Sequence, residues 1–240
     1  MSRHRGKKDE IFENELLEIY ASLRRAFGHR NWWPAEEPFE VIIGAILTQN
    51  VSWNNASKAI SNLKREGKLS PSTLYECSVE DIAPLIKPAR FYNSKAVKIK
   101  NFMEFFFKEY GGDLAAMSSE DSASLRKKLL AVKGLGKETV DCILLYACGK
   151  PVFVVDAYTK RIFLRYGILN GDPTYDEIQG YFMASLPPNA ALYNDYHAQI
   201  VHLGSSICRP KPLCGSCPIA TNGKLNCHYL NAELKTKKVI

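Results

Sequence analysis

Hydrophobic residues recur along this chain every three to four positions, and short polar or Pro/Gly breaks divide the recurrence into successive helices. The first runs from Ile11 to Phe27, with Ile11, Leu16, Leu17, Ile19, Tyr20, Leu23 and Phe27 on one face. A Trp32-Trp33-Pro34 break follows, then the strongly apolar Phe39 to Leu47, then a polar stretch TQNVSWNN, then Ala56 to Leu63. Further helices are predicted at Ser72 to Glu76, Val79 to Ile86, Asn93 to Glu109, Ser119 to Ala131 and Lys137 to Cys148, punctuated by Pro71, Pro88, Gly111, Gly112, Gly134 and Gly149. Pro151 to Val155 is too short to separate strand from loop and is read as a buried connector. Asp156 stands where an N-cap is expected before Ala157 to Tyr166, and helices at Tyr175 to Ser185 and Tyr193 to Ser205 lead into a cysteine-rich loop. The pattern predicts an all-α protein without internal repeats.

Composition narrows the class. At 240 residues with 46% hydrophobic and 24% charged positions, the chain can bury one large core or two small ones. No stretch approaches the roughly 20 uncharged apolar residues of a membrane span, and the start MSRHRGKKDE lacks an apolar signal core, so a cytoplasmic, nucleoid-associated protein is expected. The net charge of +7 is compatible with a polyanionic partner and does not establish one.

Between Leu129 and Asp156 the chain reads LLAVKGLGKETVDCILLYACGKPVFVVD. Gly134-Leu135-Gly136 forms a turn at a helix start. If both glycines take positive φ, consecutive N–H groups can point outward where the helix adds its positive dipole end, favouring an anion such as a DNA phosphate. The same turn could also serve only to cap the helix. The carboxylate of Asp156 follows about twenty residues later.

Four of seven cysteines fall within twenty residues, at Cys208, Cys214, Cys217 and Cys227, separated by five, two and nine positions. In a cytosolic chain this spacing indicates metal rather than disulfides, and a single C-x2-C pair favours a [4Fe–4S] cluster over a zinc ribbon. Cys77, Cys142 and Cys148 lie among apolar neighbours and are read as buried thiols. Arg209 and Lys211 put two cations on the loop, as solvated charges or as phosphate contacts.

The G-L-G turn opening a helix, V-V-D some twenty residues on, and a C-terminal loop with Cys-Gly-Ser-Cys at its centre resemble the endonuclease III, or helix-hairpin-helix, superfamily of DNA glycosylases over roughly Glu36 to Tyr229. The segments WWP, ILTQN, RFYNSKA and GLGKETVDCILLYACGKPVFVVD are most similar to its 3-methyladenine DNA glycosylase branch. The resemblance implies two helical domains: a helix-hairpin-helix bundle at 38–150, and an N-/C-terminal domain of 1–37 and 151–240 carrying the cluster loop. It also implies that a monomer binds double-stranded DNA containing a damaged base, which flips into a pocket between the domains.

The resemblance assigns roles to particular residues. Asp156 corresponds to the essential aspartate, and Gly134, Leu135, Gly136 and Lys137 to the DNA-binding hairpin. Gln49 matches the position of a side chain that fills the gap left by the flipped base. Trp32 or Trp33, with Trp53, would sandwich a methylated purine, and Glu138 would sit at the pocket. The cationic purine already weakens its glycosidic bond, so stacking and cation–π attraction can select it. Two departures stand out. The family's cysteine gaps are usually six, two and five, and bifunctional members carry a lysine nucleophile where this chain has Glu138, which cannot form a Schiff base. The expected function is therefore monofunctional excision of alkylated purines in base excision repair. A mismatch or uracil/thymine glycosylase and an inactive DNA-binding iron–sulfur protein are the rival readings.

Overall fold

The computed structural model describes residues 7–220 and 227–230, and among these it contains helices and turns without a strand. In chain order the helices are α1 (Lys7–Phe27), α2 (Pro38–Leu47), α3 (Trp53–Arg65), α4 (Pro71–Glu76), α5 (Val79–Leu85), α6 (Tyr92–Tyr110), α7 (Leu114–Ser119), α8 (Ser122–Ala131), α9 (Lys137–Cys142), α10 (Ala157–Tyr166), α11 (Tyr175–Ser185) and α12 (Ala190–Ser206). They fall into two compact units, Trp33–Lys150, and Met1–Trp32 with Pro151–Ile240.

In the Trp33–Lys150 unit, α2 is the central helix. It buries every residue from Phe39 to Leu47, as expected of a helix apolar on all sides. Phe39 stacks at 6.3 Å on Phe106 of α6, which stacks at 5.5 Å on Phe102. Glu40, buried in the first turn of α2, is paired with Lys64 at 2.9 Å and accepts from the Glu36 N–H. Another buried charged residue of this unit is Lys95. It is 2% exposed, and its ammonium donates to the carbonyls of Leu47 and Ala89, both at 2.7 Å, closing the C-terminal end of α2.

Three boundaries differ from expectation. The polar TQNVSWNN conceals the start of α3, which begins at Trp53 rather than Ala56. The helix expected at Ser119 to Ala131 starts only at Ser122: Ser119 ends α7, a short helix absent from the expected pattern, Glu120 is extended, and Asp121 caps α8 by accepting from the Ala123 and Ser124 N–H groups, each at 3.0 Å. The helix expected through Cys148 is α only to Cys142 and widens into a π turn over Ile143–Ala147, with the Cys148 N–H reaching back to the Ile143 carbonyl.

The other unit is built on buried aromatic rings. Phe153 stacks on Phe182 at 4.3 Å and meets Tyr193 edge-on at 5.4 Å, while Phe163 meets Phe182 edge-on at 4.8 Å. Pro151 to Val155 is a buried connector as expected. Its backbone is satisfied without a ladder, Gln179 Nε2 donating to the Phe153 carbonyl at 2.7 Å. Where α10 crosses α12, a Cβ on Gly204 would lie 2.4 Å from the Tyr158 ring, so glycine permits the approach.

Candidate functional site

The turn between α8 and α9 is held from inside its own unit. Asn101 Nδ2 donates to the Lys133 carbonyl at 2.9 Å, and Gln49 Nε2 donates to the Gly134 carbonyl at 3.2 Å and to Thr139 Oγ1 at 2.9 Å. Lys98 Nζ in turn donates to Gln49 Oε1. With these carbonyls engaged, the turn presents the N–H groups of α9's first turn, which no intrahelical carbonyl can reach. Lys133, Gly134, Gly136, Lys137 and Glu138 are exposed along this edge, and Leu135 is its buried anchor.

The expectation that both glycines take positive φ holds at one position only. Gly134 has φ +99, and a Cβ there would come within 2.5 Å of Lys98 Cγ. Gly136 has φ −91 and is the extended N-cap of α9, and a Cβ there would meet nothing within 4 Å. Gly134 thus makes the turn possible, while Gly136 keeps open the space in front of it. Gln49 was expected to project toward DNA. Here its amide bonds within the protein through both donor and acceptor, so entering a duplex would exchange these bonds for new ones.

In the same unit Trp33 and Trp53 are brought together at 5.2 Å, edge to face, and Tyr146 of the π turn meets Trp33 at 5.5 Å. The Trp33 indole lies on α2 at Gly44, where a Cβ would be 3.2 Å from Cζ2. All three aromatic residues are half-buried. Trp32, also half-buried, belongs to the other unit.

Asp156 is the N-cap of α10. Its Oδ1 accepts from the Thr159 N–H at 2.7 Å and from Thr159 Oγ1 at 2.8 Å, a capping arrangement worth about 1 kcal/mol. Oδ2 faces His197 of α12, with Nε2 at 3.8 Å. Burial lowers the His197 pKa and the Asp156 charge opposes that shift, leaving a neutral imidazole at neutral pH. Capping therefore uses one oxygen of the carboxylate and leaves the other facing His197.

The four loop cysteines, none in a disulfide, line one apolar pocket with Ile162, Tyr166 and Leu203. Burial pushes the Cys217 thiol up to about 11. Arg165 Nη1 lies 3.4 Å from Cys208 Sγ and donates to the Arg209 carbonyl at 2.6 Å, pinning the loop to α10. Among the described residues no three His, Cys, Asp or Glu side chains converge as a single metal ion requires. Arg209 and Lys211 are exposed on the loop, and Cys77 and Cys142 are buried elsewhere. No helix among the described residues is long and apolar enough to cross a membrane.

Residues 43–188 match the family model of the HhH-GPD superfamily of base excision DNA repair proteins. The chain belongs to this superfamily. It is 46% identical over 213 residues, covering 88% of this chain and 96% of the other, to a Methanocaldococcus jannaschii protein provisionally named a DNA repair glycosylase. It is 32% identical over 183 residues to endonuclease III of Sulfolobus acidocaldarius, covering 75% and 79% of the two chains. Among solved structures, the 3-methyladenine DNA glycosylase of H. pylori bound to 1,N6-ethenoadenine is similar with a TM-score of 0.68 and 28% identity, covering 81% of this chain and 96% of that one. As an HhH-GPD protein the chain is a DNA glycosylase of base excision repair, with the all-α fold of that superfamily.

Within this HhH-GPD chain, sequence reasoning missed three participants. Tyr146 and Lys98 lie on helices whose periodicity marks them as ordinary surface or core positions. His197 sits in an apolar helix with no local motif around it, and only the fold brings it to Asp156. Phe91, in the RFYNSKA segment, went unremarked as well. It is 68% exposed and, with Arg90, takes the left-handed backbone that non-glycine residues rarely adopt.

Proposed function

We propose that this HhH-GPD protein is a monofunctional glycosylase that excises alkylated purines, 3-methyladenine first, from double-stranded DNA, acting as a monomer. The observation that carries the reading is the Trp33, Trp53 and Tyr146 cluster beside a hairpin whose lysine-nucleophile position holds Glu138. Half-buried indoles add cation–π attraction of about 0.5–2 kcal/mol per ring for a cationic purine, on top of the stacking they offer any base. The likeness to a 3-methyladenine glycosylase structure at 28% identity supports the same substrate class.

The steps follow from the chain's own groups. The N–H groups at the start of α9, with Lys137, hold a backbone phosphate, and Arg209 and Lys211 add contacts that carry no sequence information. Gln49 supplies the side chain that replaces the extruded base, leaving its bonds to Gly134 and Thr139. Trp53 and Trp33 select the base with Glu138 as a further pocket residue, and Trp32 is the alternative to Trp33 that the resemblance leaves open. Asp156, through Oδ2, stabilises positive charge developing at C1′ or takes a proton from the attacking water. Glu138 can form no imine with the sugar, so the abasic strand stays intact.

Cys208, Cys214, Cys217 and Cys227 would hold a [4Fe–4S] cluster. Their fit rests on four thiols lining one apolar pocket, and on a single C-x2-C pair where zinc ribbons usually show two. When bound, such a cluster ties the loop to α10 and α12 and so fixes Arg209 and Lys211. The test of the function is mass spectrometry of bases released from methylated duplex DNA and from duplexes with uracil or G·T mismatches. Release of 3-methyladenine with alkali-labile, otherwise intact strands is expected. Release of uracil or thymine without any alkylated base would overturn the assignment.

A further inference from the structure

We propose that His197 is a positioning residue for Asp156: its buried ring, carried on α12 against the N-terminus of α10, holds the carboxylate so that Oδ2 stays directed at the reaction. The inference rests on the reading of Asp156 as the acting carboxylate and adds to it the group that sets its orientation.

Oδ1 is committed to Thr159 by two short hydrogen bonds. Those bonds set the plane of the carboxylate from the Oδ1 side, yet the terminal torsion of an aspartate is soft and the plane can still swing about them. His197 bounds that swing on the Oδ2 side. Nε2 lies 3.8 Å from Oδ2, beyond a direct hydrogen bond, and contacts of this kind tighten when substrate closes a site. The ring is 5% exposed, and it reaches this place because Gly204 lets α12 approach Tyr158.

The neighbouring charged groups are engaged elsewhere. Asp195, two residues earlier on α12, accepts from Tyr20, Arg24 and the Arg30 N–H, with His29 Nε2 at 3.7 Å. Arg161 of α10 donates to the Gly204 and Cys208 carbonyls. An uncharged imidazole suits the task, since it restrains the carboxylate without neutralising the charge that the sugar cation needs. An apolar residue would fill this interior position at lower free-energy cost, so a packing role alone does not account for histidine.

The test is a kinetic cycle on methylated duplex DNA under single-turnover conditions, with DNA affinity measured in parallel, for His197→Leu, His197→Gln, Asp156→Asn and the Leu/Asn double variant. His197→Leu should release 3-methyladenine roughly 10- to 100-fold more slowly, the loss produced by about an ångström of misplacement, with affinity unchanged. His197→Gln keeps an N–H donor at the Nε2 position and should recover part of that rate. In the Asp156→Asn background His197→Leu should cost nothing more, because its effect runs through the carboxylate. Should His197→Leu fail to fold, His197→Gln carries the same cycle. Wild-type rates in both His197 variants, or an equal further loss in the Asp156→Asn background, overturn the inference and leave the role of Asp156 standing. A fully active Asp156→Asn protein overturns the reading beneath it.

Discussion

Gly134 and Gly136 are two positions apart in one turn, and the structure gives opposite consequences for substituting them. At Gly134, φ is +99 and a new Cβ would press on Lys98 Cγ at 2.5 Å. Left-handed backbone costs an L-residue about 1–2 kcal/mol, and the clash also displaces the lysine that holds Gln49, so Gly134→Ala should destabilise by about 1–3 kcal/mol. For a chain of this size that is a fall in Tm of about 2–10 °C. At Gly136 the backbone is extended and the space is open, so Gly136→Asp meets no obstacle. Aspartate is a preferred N-cap with a charge that suits the helix dipole, so stability should hold or rise by a few tenths of a kcal/mol. The same carboxylate would stand where a phosphate is to bind. Losing one charge-assisted contact of about 1.5–3 kcal/mol should weaken binding to damaged and undamaged duplex alike by about 10- to 100-fold. The assay pairs thermal unfolding by circular dichroism with DNA affinity across a salt series, in which the log–log slope should shrink by about one. A stable Gly136→Asp protein with wild-type affinity and slope would remove the phosphate from this turn. A Gly134→Ala protein as stable as wild type would refute the backbone argument.

Other outcomes follow from separate parts of the molecule. Borohydride should trap no enzyme–DNA adduct, because Glu138 cannot form an imine, and an adduct mapping to Lys133 or Lys137 would contradict the monofunctional reading. Protein prepared anaerobically should be brown with about four irons and Cys214→Ala colourless, whereas stoichiometric zinc without iron would contradict the cluster. Burial lowers the Lys95 pKa to about 8, below its unfolded value, so between these pH values the unfolded chain binds the extra proton and this group's contribution to stability rises with pH. Lys95→Met should flatten that rise in urea denaturation measured at pH 7 to 10, and an unchanged profile would show that the rise has another source.

The helices were legible where periodicity and caps coincide. Asp156 before α10 and the apolar run of α2 lie where the sequence places them, because capping chemistry and burial are both local. The start of α3 was hidden because its first turn is polar on the outside, with half-buried Trp53 as its inward residue. Helix α7 was hidden because six residues are too few to show a period, and the start of α8 was placed three residues early because its cap, Asp121, lies inside a polar run. Backbone dihedrals were less legible: two glycines in one motif look equivalent, yet one takes the left-handed conformation and the other only needs empty space before it. His197 had no local signal, since its meaning comes from a partner on another helix. The four cysteines that the spacing groups together line one pocket in the structure, and the choice between cluster and single ion rests on that spacing, with its single C-x2-C pair.

The central claim is that this protein cleaves the glycosidic bond of alkylated purines with Asp156 as its acting carboxylate. The most direct measurement is single-turnover release of 3-methyladenine from methylated duplex DNA, followed by mass spectrometry, for the wild-type and Asp156→Asn proteins. Asparagine keeps the cap through its carbonyl oxygen, so the fold should remain while the charge is lost. The account predicts release by wild type, and release slower by at least about 100-fold with unchanged DNA affinity in the variant, the scale of removing one electrostatic stabiliser. Equal release by the two proteins, or no alkylated base released by wild type, would contradict it.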